Sequence, residues 1–168
     1  MSAGRSLDRR LVEAAALLHD VDKLPAVRPT VADTVHGAGS AEWLARRGYP
    51  ELGDAIIGHP VTRLADGPWF DRWFAAASIE ALVVAYADKR AGQKVEPMAE
   101  RFASWERRYP PDVRAGKARG SWRPETLAAV RQRAEALETR VCRLVGVAPA
   151  DVRRLEWTGR ALRLAREA

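Results

Sequence analysis

The sequence has few of the residues that crosslink a chain or carry it across a membrane. Among 168 residues there is one cysteine, Cys142, so no internal disulfide can form, which is typical of a reducing cytoplasm. No segment approaches the ~20 consecutive apolar residues of a membrane-spanning helix. The first ten residues lack the apolar core of a secretory signal. We therefore expect a cytoplasmic protein without a membrane partner.

Charge is distributed unevenly along the chain. Apolar residues make up 47% and charged residues 30%, which excludes wholesale disorder. Residues 1–90 carry 11 Lys+Arg and 12 Asp+Glu, a net charge of −1, whereas residues 91–168 carry 17 and 10, a net charge of +7. The basic half is either the solvated face of Arg-rich helices, which we favour, or an arm that binds nucleic acid. In the second interpretation the arm is formed by Arg114, Lys117, Arg119 and Arg123.

Apolar residues recur at helical spacing along the whole chain, and no strand pattern is found. Leu11, Ala15 and Leu18 share one face of a predicted helix over 7–19. The segment 61–74 contains glycine, proline and two tryptophans, and we interpret it as a loop with a short turn of helix. The other predicted helices of this half span 33–47, 50–59, 79–88 and 97–108.

A second helical region follows a predicted linker over 111–123. Gly146 ends its long helix and Pro149 begins a last one. We expect an all-α protein, with a helical domain over 1–110 and a C-terminal helical pair over 124–168. The pair would pack on this domain or on a partner subunit, which would make a homodimer, because a lone amphipathic helix is marginal in water. The apolar stripe of the long helix consists of Leu127, Val130, Ala134, Leu137, Val141 and Leu144.

The three histidines lie where packing alone does not require them. His19 and Asp20 end an otherwise apolar helix, where a charged pair is costly unless a cation compensates it. His36 opens a predicted helix, His59 closes one, and Asp88 follows another apolar run. Three imidazoles with two carboxylates favour Mn, Fe, Co, Ni or Zn over Mg or Ca. Each residue alone is weak evidence, since a histidine at a helix end is commonly a cap or a core residue.

Four segments containing these residues follow one another in a specific order: 14–23 (AAALLHDVDK), 35–41 (VHGAGSA), 56–60 (IIGHP) and 84–90 (VAYADKR). Together they resemble the motifs of the HD superfamily of metal-dependent phosphohydrolases, and the resemblance covers about residues 7–110. It implies an HD-domain-like helical bundle, here with a C-terminal helical extension.

The resemblance also implies the chemistry of the site. Asp20 would bridge two divalent ions and so take part in catalysis, by water that the ions activate. Lys23 would act with it by neutralising a substrate phosphate, and Lys89 or Arg90 could also bind that phosphate. The implied substrate is a small phosphoester, with a nucleotide favoured. In this interpretation one or two transition-metal ions are held by His19, Asp20, His36, His59 and Asp88, with His19 and Asp88 on the first ion and His36 and His59 on the second.

One family residue has no counterpart in the sequence. The family has a further histidine about one helix upstream of the His-Asp pair, whereas no histidine precedes His19. Three explanations stay open: the chain begins late, water or another side chain takes the position, or catalysis is lost and the domain is a binding or regulatory module. Asp22 is the nearest spare carboxylate, but the matching family position does not bind metal, so we do not count it as a ligand.

Three further residues are candidates for a role in function or in packing. Trp69 and Trp73 follow His59 and could stack on a substrate, although aromatic residues in a small helical domain are mostly core residues, which is the interpretation we favour. Cys142 lies on the apolar stripe of the long helix, and we interpret it as a packing residue.

Overall fold

The structure is a computed structural model that describes residues 6–91, 95–110 and 122–155. Within these ranges the regular elements are helices, apart from an isolated bridge between Ala91 and Val95, so the predicted all-α fold class is confirmed. None of the described helices has the length and apolar character needed to span a bilayer. The α-helices are α1 (Arg9–Leu18), α2 (Ala38–Ala45), α3 (Pro50–Ile56), α4 (Thr62–Ala65), α5 (Gly67–Ala76), α6 (Ile79–Arg90), α7 (Met98–Arg108) and α8 (Pro124–Val145), and short 3-10 helices span Val21–Lys23, Arg28–Val31 and Pro149–Arg154.

The chain divides into two compact units, Met1–Asp88 and Lys89–Ala168, and each is described by itself. The division falls inside α6, earlier than the boundary predicted at residue 110, so α7 belongs with α8 to the second unit. The predicted linker lies outside the described residues except for Trp122 and Arg123. The expected packing of the C-terminal pair on the first domain or on a partner subunit stays a prediction.

The core of the first unit forms where α1, α2, α3 and α6 supply buried residues. Helices α2 and α3 come close because Gly53 has no side chain: a Cβ there would lie 3.0 Å from the carbonyl oxygen of Ala41. Helix α1 begins at Asp8, whose carboxylate accepts a hydrogen bond from the Leu11 N–H at 3.0 Å. The Asp8 N–H in turn donates to Glu80 at 3.0 Å, which joins the start of α1 to the start of α6. The main buried cluster at this place consists of Ala15, Leu44, Leu52, Ala55, Ile56 and Val84.

The segment 61–74 is more helical than the sequence predicts. Instead of a loop with a short turn, the chain forms α4 and the ten-residue α5. Asp66 caps α5 by accepting from the Trp69 N–H at 3.1 Å. Gly67 and Pro68, which indicated a loop, occupy the first turn of α5, where proline costs no hydrogen bond because the N–H of that turn has no partner in the helix. The predicted loop was therefore wrong.

Three predicted helix boundaries also differ from the structure. His36 and Gly37 precede α2, because Gly37 has a φ of 83° that helical residues do not adopt. Helix α3 ends at Ile56 and not at His59, since the residue before Pro60 is disfavoured in the helical conformation. The predicted last helix begins as the short 3-10 helix after Ala148, and residues 156–168 lie outside the described part of the chain.

Helix α8 supplies most of the core of the second unit. The predicted stripe is confirmed except at its last member, because Leu144 is 52% exposed. Gly146 ends the helix in the left-handed conformation with a φ of 68°, and the Val147 N–H donates to the Cys142 carbonyl at 3.0 Å. The buried members of α8 are Leu127, Val130, Ala134, Leu137, Glu138, Val141 and Cys142.

Truncating the middle of this stripe destabilises the second unit. Leu137→Ala is expected to lower the free energy of unfolding by about 2–5 kcal/mol, because the Leu137 side chain is fully buried. Leu144→Ala removes the same atoms from an exposed position of the same helix and is expected to cost less than about 0.5 kcal/mol. Urea unfolding measures both values, and equal losses in the two variants would contradict the burial of Leu137.

Candidate metal centre

The ends of four helices bring together all five residues predicted as metal ligands. His19 follows the last residue of α1, and Asp20 comes next. His36 lies two residues before α2, His59 lies three residues after α3, and Asp88 lies in the last turn of α6. The five residues all belong to the first compact unit.

One oxygen of Asp20 and two imidazole nitrogens form a tight triangle. Asp20 Oδ1 lies 3.2 Å from His36 Nε2 and 3.4 Å from His59 Nε2, and the two nitrogens are 3.2 Å apart. Ions such as Zn²⁺ hold these donors at about 2.0–2.2 Å in a tetrahedron, so neighbouring donors on one ion are about 3.3–3.6 Å apart, close to the distances here. The triangle therefore has the size that a shared metal ion requires. We call these three atoms the donor triangle.

The second oxygen of Asp20 faces a different group of side chains. Asp20 Oδ2 lies 2.7 Å from Lys23 Nζ and 3.6 Å from His19 Nε2. His19 Nε2 is also 3.6 Å from Asp88 Oδ1. Asp20 belongs to both groups of described residues that could hold a metal ion. One group is His19, Asp20 and His59, the other is Asp20, Asp22 and His36, and the donor triangle takes one histidine from each. The group around Oδ2 is looser and already contains a cation, the Lys23 ammonium.

The Nδ1 atom of each histidine lies at hydrogen-bond distance from an oxygen, and this contact determines the tautomer of the neutral ring. His19 Nδ1 lies 2.7 Å from the Ala16 carbonyl, and His59 Nδ1 lies 2.7 Å from the Ile56 carbonyl. His36 Nδ1 lies 2.9 Å and 3.1 Å from the two carboxylate oxygens of Asp22. Carbonyls and carboxylates only accept, so each Nδ1 carries the proton and donates it. In a neutral ring the Nε2 lone pair then faces Asp20.

Asp20 Oδ1 is a buried oxygen without a hydrogen-bond partner. A protonated His36 would turn an Nε2–H toward this oxygen, but with neutral rings both imidazole contacts bring a lone pair toward it. That arrangement of lone pairs is unfavourable unless a positive charge lies between the donors. A metal ion in the triangle would supply that charge, as in histidine metal sites where the other ring nitrogen donates to a carbonyl or a carboxylate.

The surroundings also determine the protonation of the donors. Burial alone would raise the pKa of Asp20, but His36, His59 and Lys23 together hold this pKa far below its ordinary value. Burial lowers the pKa of His59, so its imidazole is neutral at pH 7. Burial would lower the pKa of His36 too, but Asp20 and Asp22 outweigh burial and raise it. At neutral pH the triangle therefore contains a carboxylate and at least one neutral imidazole.

The centre is buried at one side and open at the other. The His59 side chain is only 2% exposed, whereas the side chains of Asp20 and Lys23 are 40% and 57% exposed. Gly37 allows the closed side to form, because a Cβ at this position would lie 2.5 Å from Pro60 Cγ and 3.3 Å from His59 Cε1. A small molecule can approach the donors from the side of Asp20 and Lys23.

Sequence reasoning missed two residues that shape the centre. Asp22 was set aside as a ligand, and the structure places it behind His36 as a hydrogen-bond acceptor. Burial would raise the pKa of Asp22, but the Gly37 N–H and His36 outweigh burial and lower it. Trp73 packs against the glycine that precedes His59, since a Cβ at Gly58 would lie 2.2 Å from its ring. Nothing in the sequence pointed to the contact of Asp22 with His36 or to the contact of Trp73 with Gly58.

Two other predicted substrate contacts receive no support from their placement. Arg90 is buried and donates to Glu138 at 2.6 Å, and Lys89 is fully buried. Their roles in binding a substrate stay predictions. Trp69 and Trp73, for which we favour a packing role, stack on each other with ring centroids 5.6 Å apart.

Comparison of the chain with protein-family models, with curated proteins and with solved structures finds no match. The resemblance to the HD superfamily therefore rests on the four sequence motifs and stays a prediction. The geometry of the donor triangle is independent of that resemblance, because it follows from the distances between the donor atoms.

Removing Asp20 should abolish metal binding. Zn²⁺, Mn²⁺ or Co²⁺ at 100 times its dissociation constant is expected to raise the free energy of unfolding of the wild-type protein by about 2.7 kcal/mol. Asp20→Ala should lose this stabilisation, because both groups of ligands share Asp20. Asp54→Ala, an exposed carboxylate on α3, should keep it. Thermal unfolding with and without metal measures the effect, and a metal response in Asp20→Ala equal to that of the wild type would exclude this centre.

Lys23 competes with a cation for Asp20 Oδ2. Lys23→Met removes the ammonium at 2.7 Å, so it should strengthen binding of a second metal equivalent by the group around Oδ2. Arg10→Met removes the same charge from an exposed position of α1 and serves as the control. Isothermal titration of both variants measures stoichiometry and affinity. Unchanged metal binding in Lys23→Met would show that the ammonium does not block this group.

Proposed function

We propose that this protein is a metal-dependent phosphohydrolase of the HD superfamily, which hydrolyses a small phosphoester, with a nucleotide as the favoured substrate. The observation that carries the proposal is the donor triangle, in which a buried, unpartnered carboxylate oxygen faces two imidazole nitrogens at the distances of a shared metal ion. Every residue of the donor triangle and of the group around Asp20 Oδ2 lies in one of the four motifs that resemble the HD superfamily.

The donors favour a transition metal over Mg²⁺ or Ca²⁺. The triangle contains two imidazoles and one carboxylate, whereas Mg²⁺ and Ca²⁺ prefer oxygen ligands. We propose Mn, Fe, Co, Ni or Zn, with His36, His59 and Asp20 as the ligands of one ion. His19, Asp88 and the other oxygen of Asp20 would hold a second. A divalent ion in such a site lowers the pKa of water and withdraws charge from a phosphoryl group.

The residues of the chain itself bind and orient the substrate. The Lys23 ammonium is 57% exposed and lies beside the donors, so it can bind a phosphate oxygen from solvent as a point charge. When Lys23 binds a phosphate, Asp20 Oδ2 is free for the second group of ligands. Asp20 stays ionised throughout, because its pKa lies far below its ordinary value. His59 closes the buried side and excludes water there.

The proposal predicts that Lys23→Met separates metal binding from hydrolysis. Metal occupancy should be retained or increased, whereas kcat/KM for a nucleoside monophosphate should fall about 100-fold, the usual effect of losing one group that stabilises transition-state charge. The assay measures phosphate release from nucleoside monophosphates with Mn²⁺, with Arg10→Met as the control.

Two outcomes would contradict the proposed activity. If the wild-type protein binds metal and releases no phosphate from any nucleotide or simple phosphoester, the domain is a non-catalytic binding or regulatory module. If Asp20→Ala keeps the full rate, the hydrolysis comes from a contaminating enzyme or from another site.

A further inference from the structure

His36 differs from the other two histidines in the group that holds its ring. The rings of His19 and His59 donate to backbone carbonyls, at 2.7 Å in each case. The ring of His36 donates to the carboxylate of Asp22, whose two oxygens lie 2.9 Å and 3.1 Å from Nδ1. A charged acceptor makes the stronger hydrogen bond and withdraws the Nδ1 proton further. His36 Nε2 is therefore the most electron-rich nitrogen of the three.

Hydrogen bonds and close packing hold Asp22 in one position. Its side chain is 7% exposed, and Oδ2 accepts a hydrogen bond from the Gly37 N–H at 2.8 Å. Its own N–H donates to Ser40 Oγ at 3.1 Å, and Ser40 is fully buried. Gly39 leaves room for it, because a Cβ there would lie 3.2 Å from the Asp22 Cβ. The carboxylate thus joins the 3-10 helix after Asp20 to the start of α2.

This arrangement holds two members of the donor triangle relative to each other. Asp20 and Asp22 belong to one short segment, and Asp22 binds the ring of His36 from the neighbouring segment. The distance from Asp20 Oδ1 to His36 Nε2, 3.2 Å, is therefore set through Asp22. The contacts of the group around Asp20 Oδ2 are longer, since His19 Nε2 lies 3.6 Å from Asp20 Oδ2 and 3.6 Å from Asp88 Oδ1, and Lys23 pairs with the same oxygen of Asp20.

We propose that Asp22 is a positioning residue that orients His36 as a metal ligand and makes the donor triangle the tighter of the two metal-binding groups. This inference rests on the proposed metal centre. Asp22 binds no metal in it: the carboxylate accepts the Nδ1 proton and acts on the ion through the imidazole. Replacing a residue that accepts a hydrogen bond from a metal-ligating histidine usually weakens the metal affinity about 10–100-fold.

The test is the substitution Asp22→Asn, which removes the charge and keeps the shape. The single carbonyl oxygen of an asparagine can accept a hydrogen bond from His36 Nδ1 or from the Gly37 N–H, but not from both. The amide NH₂ group then faces the remaining N–H donor, with which it cannot form a hydrogen bond. The affinity of the first metal equivalent should fall about 10–100-fold, measured by titration with Co²⁺, and its visible absorption band should shift. The second, weaker equivalent should change much less.

Asp66→Asn is the matched control. Asp66 also accepts a hydrogen bond from a backbone N–H, that of Trp69 at 3.1 Å, and caps α5 away from the donors. The same change of charge and shape should lower stability slightly and leave both Co²⁺ affinities unchanged. A second measurement needs no variant: the long-range proton–nitrogen NMR spectrum of the wild-type protein should show His36 protonated at Nδ1, with Co²⁺ or Zn²⁺ perturbing Nε2.

The outcomes separate this inference from the function on which it rests. A wild-type protein that binds no Co²⁺ would overturn both. Normal Co²⁺ binding by the wild type with an Asp22→Asn affinity within threefold of it would overturn the role of Asp22 and leave the metal centre intact. Equal weakening in Asp22→Asn and Asp66→Asn would also overturn it, because a general loss of stability would then be the cause. If Asp22→Asn does not fold, a His36 ring protonated at Nε2 in the wild type would still contradict the inference.

Discussion

The structure of the site depends on one buried oxygen, Asp20 Oδ1. It has no hydrogen-bond partner, and two imidazole nitrogens lie 3.2 Å and 3.4 Å from it. A buried anionic oxygen without a partner is unfavourable unless a positive charge compensates it. Lys23 compensates only the other oxygen, at 2.7 Å. A cation at the donor triangle removes the conflict and explains why all three Nδ1 atoms donate away from the centre.

The fold forms the candidate metal centre by bringing the ends of several helices together. Helices α1 and α6 are joined at their starts by the hydrogen bond from Asp8 to Glu80 and meet at their ends through His19 and Asp88. Helices α2 and α3 pack closely at Gly53, and the segments next to them carry His36 and His59. The core of the first unit therefore sets the positions of side chains that come from four separate parts of the sequence.

Much of this was predictable from the sequence, for identifiable reasons. The apolar periodicity of α1 and α8 predicted those helices correctly. The predicted start of α6 at residue 79 also agrees with the structure, in which Ser78 accepts from the Ala81 N–H at 3.1 Å. The five candidate ligands were found because charged or titratable residues at the ends of apolar helices need compensation. Helix α5 was missed because Gly67 and Pro68 read as loop residues, although both are well tolerated in a first helical turn.

The role of Asp22 could not be predicted from spacing. Its importance comes from a contact across 14 residues of chain, and such a contact exists only once α2 has packed beside the 3-10 helix that contains Asp22. In the second unit, the exposure of Leu144 could not be predicted from spacing either. Leu144 continues the apolar stripe of α8 in the sequence, but it lies next to the last residue of the helix, Val145, and its side chain is 52% exposed.

Anomalous diffraction from crystals grown with Zn²⁺ or Mn²⁺ tests the metal centre most directly. We expect a peak at the metal absorption edge about 2.0–2.2 Å from Asp20 Oδ1, His36 Nε2 and His59 Nε2. A weaker second peak should lie beside His19, Asp88 and Asp20 Oδ2 when Lys23 has moved away. Crystals with the metal bound elsewhere, or with no peak within coordination distance of Asp20, would contradict the assignment of this cluster as a metal centre.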